Sequence, residues 1–363
     1  MRGAPYISKT FITGLVIGSA LSLSFNRDHP HPYKLVYPAY FGDHYSIPKD
    51  NPETIEGAAL GRMLFYEKAL SAGNKISCAT CHQQQHAFSD GKRFSRGADG
   101  VSQPRNTMAL VNVLWTRNFF WDGRTRGLEN QVDTPLTNIH EMGQSLEISV
   151  KKLGAGKRYA RMFSAAFGDT RITPERIEKA LAQFERTLIS CNSRYDRYLQ
   201  GTYKPTASEL NGIRLFYSSP DPARGVRGAS CSHCHGGSKT YEELFMNNGL
   251  DSAYRDAGRA AVTGRGYDTG RFRVVTLRNI ALTAPYMHDG RFKTLEEVVD
   301  HYSDHVVKSR YLSPFLQNNS NTLHGSELDL TAKEKKDLIA FLNMLTDSSF
   351  ITDKRFSNPF VHG

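Results

Sequence analysis

The sequence predicts a mainly α protein built from two related halves in tandem, with few strands. Three observations carry that expectation. The stretch SCATCH at 77–82 returns in altered form as SCSHCH at 230–235. Each copy is preceded by a similar amphipathic stretch, GRMLFY (Gly61–Tyr66) or GIRLFY (Gly212–Tyr217). Each is followed by the frame x-D-G-R-x-x-x-L-E, as WDGRTRGLE at 121–129 and HDGRFKTLE at 288–296. Repetition on this scale is the mark of a duplicated structural unit.

The elements follow in order. The GRMLFY and GIRLFY stretches have helical apolar spacing and are expected to pack near the motifs they precede. An Arg-Asn pair then recurs, at Arg105–Asn106 and Arg278–Asn279. TPERIEKALAQFERTL opens with Thr173 as a cap and Pro174 at the first helical position, where its missing N–H costs nothing. QGTYKPTA at 200–207 reads as the joint between the halves. TAKEKKDLIAFLNML opens with a capping box, Thr331 to Glu334. Few segments have convincing strand character.

The chain has 363 residues, 39% hydrophobic and 23% charged, which is the composition of a soluble globular protein with ample core. The net charge is +10, but the basic residues are scattered, without an aromatic-basic repeat or a recognition helix, so no nucleic-acid partner is expected. Residues 1–25 differ from the rest. Arg2 and Lys9 precede an apolar run that ends in small residues near Ser22 and Ser24, the pattern of an export signal or of a short uncleaved anchor.

Export bears on the five cysteines, Cys78, Cys81, Cys191, Cys231 and Cys234. Disulfides would suit an oxidising compartment, but an odd count and the histidine after each pair fit them poorly. Paired zinc knuckles lie roughly 15–20 residues apart, far closer than Cys81 and Cys231, and the βαβ surround of a thioredoxin-type motif is missing. The remaining reading is covalent haem c at both sites. Cys78 and Cys81 would bind one haem and Cys231 and Cys234 the other, with His82 and His235 as the iron ligands. Two cytochrome c-like domains are therefore expected, over residues 26–205 and 206–363, the second with a C-terminal tail. Cys191 is expected to pack as a small buried residue.

Registering the halves on the D-G-R frame compares the two irons. Trp121 stands where His288 stands, and Pro135 where Tyr302 stands. Proline has no side-chain donor, whereas tyrosine can ligate iron as phenolate. If that position faces the open side of each haem, the first iron is open for substrate. The second is closed and moves or stores electrons.

On CATCH, AFSDG, RNT, FFWDGR, HEMG, CSHCH and TLRNIALTAPYMHDGRF, the chain resembles the bacterial dihaem cytochrome c peroxidases, the superfamily that includes MauG. The resemblance covers nearly everything after about residue 50. It implies a periplasmic enzyme whose first haem is peroxidatic, with Trp121 between the haems, Gln131 and Glu141 as distal residues, and one calcium ion held by the Asn106 side chain and the backbone carbonyls of Thr283 and Pro285. Glu141 would take a proton from bound peroxide and return it to the departing oxygen; His140 is its neighbouring competitor. Gln131 would hold the peroxide, and the Trp121 ring would carry an oxidising equivalent between the irons.

Two departures from the family pattern stand out. Conventional members carry a histidine downstream of the first motif that ligates the peroxidatic iron in the oxidised state. Here that region reads RFSRGADG, and His86 is poorly placed to replace it. Conventional members also close the second haem with methionine, where this chain has Tyr302, as in MauG; Met287, His301 and His305 are its rivals. The expected function is reduction of hydrogen peroxide with electrons from a small redox protein, a c-type cytochrome or a cupredoxin. A MauG-like alternative holds the oxidising equivalents at both haems and spends them on a protein substrate. A non-catalytic dihaem electron-transfer cytochrome is the third possibility.

Overall fold

The computed structural model describes residues 30–361. The expected export segment, 1–25, lies outside the described residues, among which no helix is long and apolar enough to cross a membrane. The chain is mostly helical with few strands, as the sequence predicts. In order, the helices are α1 (Ile55–Phe65), α2 (Cys78–Cys81), α3 (Leu128–Thr137), α4 (Leu146–Gly154), α5 (Lys157–Phe167), α6 (Pro174–Arg186) and α7 (Arg194–Leu199). They continue as α8 (Ala207–Tyr217), α9 (Ala260–Thr263), α10 (Leu295–Asp304), α11 (Pro314–Gln317), α12 (Ala332–Met344) and α13 (Ser348–Thr352). Two antiparallel ladders pair β1 (Asn118–Phe119) with β2 (Thr125–Arg126) and β3 (Phe245–Met246) with β4 (Phe272–Arg273).

The helix starts form for the expected reasons. Thr173 accepts from the Arg176 N–H at 3.2 Å with Pro174 in the first turn of α6. Thr331 and Glu334 cap α12 reciprocally. Each cap satisfies a backbone donor that the helix itself leaves unpaired.

The repeated GRMLFY and GIRLFY stretches are the crossing points of two helix pairs, α1 on α6 and α8 on α12. A Cβ on Gly61 would overlap the Ala180 carbonyl and the Phe184 Cβ; one on Gly212 would overlap the Asp337 carbonyl and the Phe341 Cβ. Glycine lets the two backbones touch. One turn on, Phe65 meets Phe184 with ring centroids 5.2 Å apart, and Phe216 meets Phe341 at 4.9 Å. The shared letters therefore encode one packing joint made twice.

Each joint sits in its own hydrophobic core, with Cys78 packed on the first and Cys231 on the second. The chain ends cross over: Phe350 and Phe356 from the C-terminal tail pack in the first core, and Tyr195 of α7 in the second. Cys191 is half-buried against the Phe41, Leu114 and Trp115 cluster.

One element of the repeat is out of register with the Arg-Asn match. Asn112 and Asn279, not Asn106 and Asn279, are structural counterparts. Both are left-handed, with φ 57° and 61°. The Asn112 N–H donates to the Leu188 carbonyl just beyond α6 at 3.0 Å, and the Asn279 N–H to the Leu345 carbonyl just beyond α12 at 2.9 Å. The D-G-R frame carries the same pairing, since it places Arg105–Asn106 opposite Phe272–Arg273. Spacing, rather than the two matching letters, marks the equivalent positions.

The halves meet along a seam of reciprocal bonds. The Asn106 N–H donates to the His288 carbonyl, and the Arg273 N–H to the Trp121 carbonyl, each at 2.7 Å. Arg93 Nε donates to the Asp289 carbonyl at 3.0 Å, while Arg259 Nη1 donates to the Asp122 carbonyl at 2.9 Å. Arg278 of the second half and Asp196 of α7 form an ion pair at 2.5 Å with both side chains fully buried. Val111 holds the position of Arg278 in the first half.

Candidate active site

The first motif forms the short helix α2 because Ser77 and Thr80 cap each other; the Ser77 N–H donates to Thr80 Oγ1 at 3.0 Å. His82 follows, its Nδ1 bonded to the Phe88 carbonyl at 2.8 Å. Consecutive left-handed residues, Ala87 (φ 50°) and Phe88 (φ 61°), turn that carbonyl back onto the ring. Burial pushes the His82 pKa below the usual imidazole range. A neutral ring with Nδ1 engaged offers Nε2 to a metal.

In the second motif His233 replaces Thr80, the reciprocal cap is gone, and Cys231–His233 is a 3-10 turn entered from a left-handed Ser230 (φ 56°). His235 takes its Nδ1 partner from far along the chain, the Val275 carbonyl at 3.0 Å, and burial lowers its pKa to about 4. Burial raises the Cys231 thiol to about 12 and the Cys234 thiol to about 11. It also pushes the Cys78 and Cys81 thiols up.

These donors suit haem c. Cys231, Cys234, His235, Met287 and Tyr302 line one apolar cavity, which brings two thiols, a neutral imidazole and a further axial donor together. None of the five cysteines pairs with another in a disulfide. Among the described residues no three His, Cys, Asp or Glu side chains are grouped to hold a metal ion, so the two cysteine pairs do not converge on one centre.

Tyr302 projects from α10 into this cavity, its phenol pushed up to about 12 by burial. Asn248 Nδ2 stands 3.3 Å from Tyr302 Oη and 3.3 Å from Met287 Sδ, so tyrosine and methionine both stay within the site. The histidine rivals do not. His301 Nε2 bonds the Asn248 carbonyl at 3.0 Å, and His305 is exposed just past the end of α10.

On the first-haem side, Glu141 follows α3 and accepts from Asn138 Nδ2 at 2.8 Å. Burial holds its carboxyl above the usual range, against the opposing pull of Asn138 and Arg124. The next residue, Met142, brings this segment to the first motif, its Sδ 4.0 Å from Cys78 Sγ. The RFSRGADG loop supports it, since the Ala98 N–H donates to the Glu141 carbonyl at 2.7 Å. The competitor His140 points outward, exposed and paired with Asp99 at 2.8 Å. Gln131 is half-buried on α3, one turn before Pro135.

Trp121 lies on the seam. Its Nε1 donates to the Asn106 carbonyl at 2.8 Å, and its ring meets His288 edge-on with centroids 6.5 Å apart. His288 stacks on Phe272 at 3.7 Å and 12°. Asn106 spends its amide nitrogen on the Lys92 and Arg93 carbonyls, at 2.8 and 3.3 Å, which leaves Oδ1 free for a cation. Thr283 and Pro285 line the same cavity as Asn106. Amide and carbonyl oxygens are a donor set suited to calcium.

Several residues escape the sequence reading. His288 and Arg273 were findable, as the frame-mates of Trp121 and Asn106. Arg273 is buried with Nε unpartnered and Nη1 only 3.5 Å from Thr116 Oγ1. Glu185, on α6, is buried with Oε2 unpartnered, and burial raises it to about 8. Asn248 has no signal in the sequence, because only folding brings it to Tyr302.

Known proteins resemble this chain in sequence and fold. Residues 55–204 match the family described as di-haem cytochrome c peroxidase. The methylamine utilization protein MauG of Methylophilus methylotrophus is 33% identical over 84% of this chain and 86% of that protein. The cytochrome c551 peroxidase of Nitrosomonas europaea is 35% identical over 69% and 73%. Among solved structures, a MauG-like protein associated with microbial copper homeostasis superposes with a TM-score of 0.82 at 36% identity, covering 91% of this chain and all of that one.

Proposed function

Since the chain belongs to the di-haem cytochrome c peroxidase family, whose members carry two haem c groups, we propose that it is an exported, periplasmic peroxidase acting on hydrogen peroxide at the first haem. The halves at 26–205 and 206–363 would be its two cytochrome c-like domains. Cys78, Cys81 and His82 would hold the first haem, and Cys231, Cys234 and His235 the second, with Tyr302 as a further ligand to the second iron. Asn106, Thr283 and Pro285 hold calcium at the seam. When bound, the haems supply the iron that takes up peroxide and the couple that passes electrons.

The chain's own groups do the rest. Gln131 hydrogen-bonds the peroxide. Glu141 accepts a proton from the near oxygen and returns it to the far one, which leaves as water. Two further protons and two electrons complete the reduction to two waters. Neutral imidazoles with their Nδ1 atoms tethered would keep His82 and His235 fixed as iron ligands, and Trp121 bridges the seam. The supporting observation is the placement of Glu141: a half-buried carboxyl whose chain neighbour Met142 meets Cys78, with burial raising its pKa.

Electrons would come from a small redox protein. A second reading, oxidation of a protein substrate as the resemblance to MauG implies, draws support from the Tyr302 phenol in the cavity lined by Cys231, Cys234 and His235 (the second cavity), because phenolate ligation stabilises oxidised iron. The test is the optical spectrum of the fully ferric holoprotein on addition of stoichiometric hydrogen peroxide. An immediate change is expected for an open first haem. A response only after one electron has been supplied would return the protein to the conventional, reductively activated type.

A further inference from the structure

Two side chains able to ligate iron enter the second cavity, and one amide stands between them. Asn248 Nδ2 is 3.3 Å from Tyr302 Oη and 3.3 Å from Met287 Sδ. Met287 is delivered by a left-handed backbone, φ 74°, an unfavourable conformation for methionine that the surrounding bonds impose. The Gly290 N–H holds the Met287 carbonyl at 3.2 Å, and the seam bond from Asn106 holds the next residue, His288. Neither ligand is excluded by its own position.

Asn248 is fixed from both sides. Its carbonyl is bonded by His301 Nε2 at 3.0 Å. The preceding Asn247 side chain accepts from the Gly249 N–H at 3.0 Å and from Tyr254 Oη at 2.8 Å, and donates to the Thr269 carbonyl at 3.1 Å. The Val307 N–H pins the Gly249 carbonyl at 2.8 Å. These bonds fix the backbone from which the Asn248 side chain reaches toward both candidate ligands.

We infer that Asn248 is the positioning residue that selects Tyr302 over Met287 as the axial partner of the second haem. The physical reason is the difference between the acceptors. An N–H donated to an anionic oxygen is a charge-assisted hydrogen bond, roughly twice as strong as a neutral one. A thioether sulfur is a weak acceptor and gains little. The same donor thus lowers the energy of bound phenolate and leaves thioether ligation nearly unchanged. This inference rests on Tyr302 being the ligand in the wild-type protein.

The test uses full-length holoprotein in wild-type form and as Asn248→Leu, Asn248→Asp and Asn248→Leu/Met287→Leu. Absorption and paramagnetic resonance identify the axial ligand, and spectroelectrochemical titration reads the potential of the second haem. Wild type is expected to show phenolate-to-iron charge transfer. Asn248→Leu should lose at least tenfold of its phenolate preference, with the methionine-to-iron band appearing and the potential rising by about 59 mV or more. Asn248→Asp, similar in shape but with no donor, should shift the same way. The double variant should lack the methionine band.

A phenolate spectrum and potential unchanged in both single variants would overturn the inference while leaving Tyr302 as the ligand. Absence of phenolate ligation in wild type would overturn the reading of Tyr302 itself, and the inference with it. Should Asn248→Leu fail to fold, Asn248→Asp distinguishes the same two outcomes.

Discussion

The two halves share a packing joint and the Cys-x-x-Cys-His pattern but differ in the side chains set around them. Gly61 and Gly212, Phe65 and Phe216, and Phe184 and Phe341 are interchangeable in role. The next residue along each core helix is not. Glu185 follows Phe184, a buried carboxyl with an unpartnered oxygen, while Leu342 follows Phe341 and lines the second cavity. Pro135 answers Tyr302, and His82 is tethered by a carbonyl in its own turn where His235 reaches across the fold. Scaffold positions answer to the other helix and stay fixed. Around the two motifs, by contrast, the halves diverge.

The largest expected effect sharpens that contrast. Glu141→Gln should slow the peroxide-driven spectral change about 10²–10⁴-fold, the range of a lost general acid-base. Its frame-mate Lys308 is exposed, and Lys308→Gln should leave the rate unchanged in the same stopped-flow assay. Equal losses would end the claim that the first half alone carries the reaction.

Stability offers the next contrast. Arg278→Met leaves Asp196 as a fully buried, uncompensated charge and should cost about 3–5 kcal/mol in chemical denaturation. The first half has only Val111 there, so no substitution at that position can unpair a charge. Gly61→Ala and Gly212→Ala should each cost about 1–3 kcal/mol by overpacking, and by similar amounts. A cost at one site alone would show the two joints to be unequal.

The smallest effect is a pH slope. Glu185 is raised to about 8 in the folded protein from an ordinary value of 4.5. The native state therefore holds this proton where the unfolded chain has released it, and stability falls as pH rises from about 4.5 through about 8. Glu53, raised to about 7 by burial, adds to the slope at its lower end. In denaturant titrations at several pH values, Glu185→Gln should flatten the slope. An unaltered slope would mean that the carboxyl is not desolvated as its surroundings imply.

Much of this was legible in the sequence. Spacing and repetition located both CxxCH motifs, the helix caps, the paired GRMLFY and GIRLFY helices and the D-G-R frame, because each is set by local chemistry. The frame also held the Asn112–Asn279 equivalence, hidden by a chance Arg-Asn match. The remainder depends on chain segments distant in sequence. Val275 behind His235, Asn248 between Tyr302 and Met287, and Phe272 on His288 are brought into place by the long connection after the second motif, which has no helical period to read.

The seam has a further meaning. Asn106 to His288 and Arg273 to Trp121 is an i-to-j, j-to-i exchange, the pattern that a rotation axis imposes on two copies of one chain. The joint thus has the form of a homodimer contact written into a single polypeptide. In a true homodimer every substitution appears twice, so no position can serve one copy alone. Covalent fusion lifts that constraint, and a tryptophan can face a histidine across the axis where symmetry would have required two of a kind.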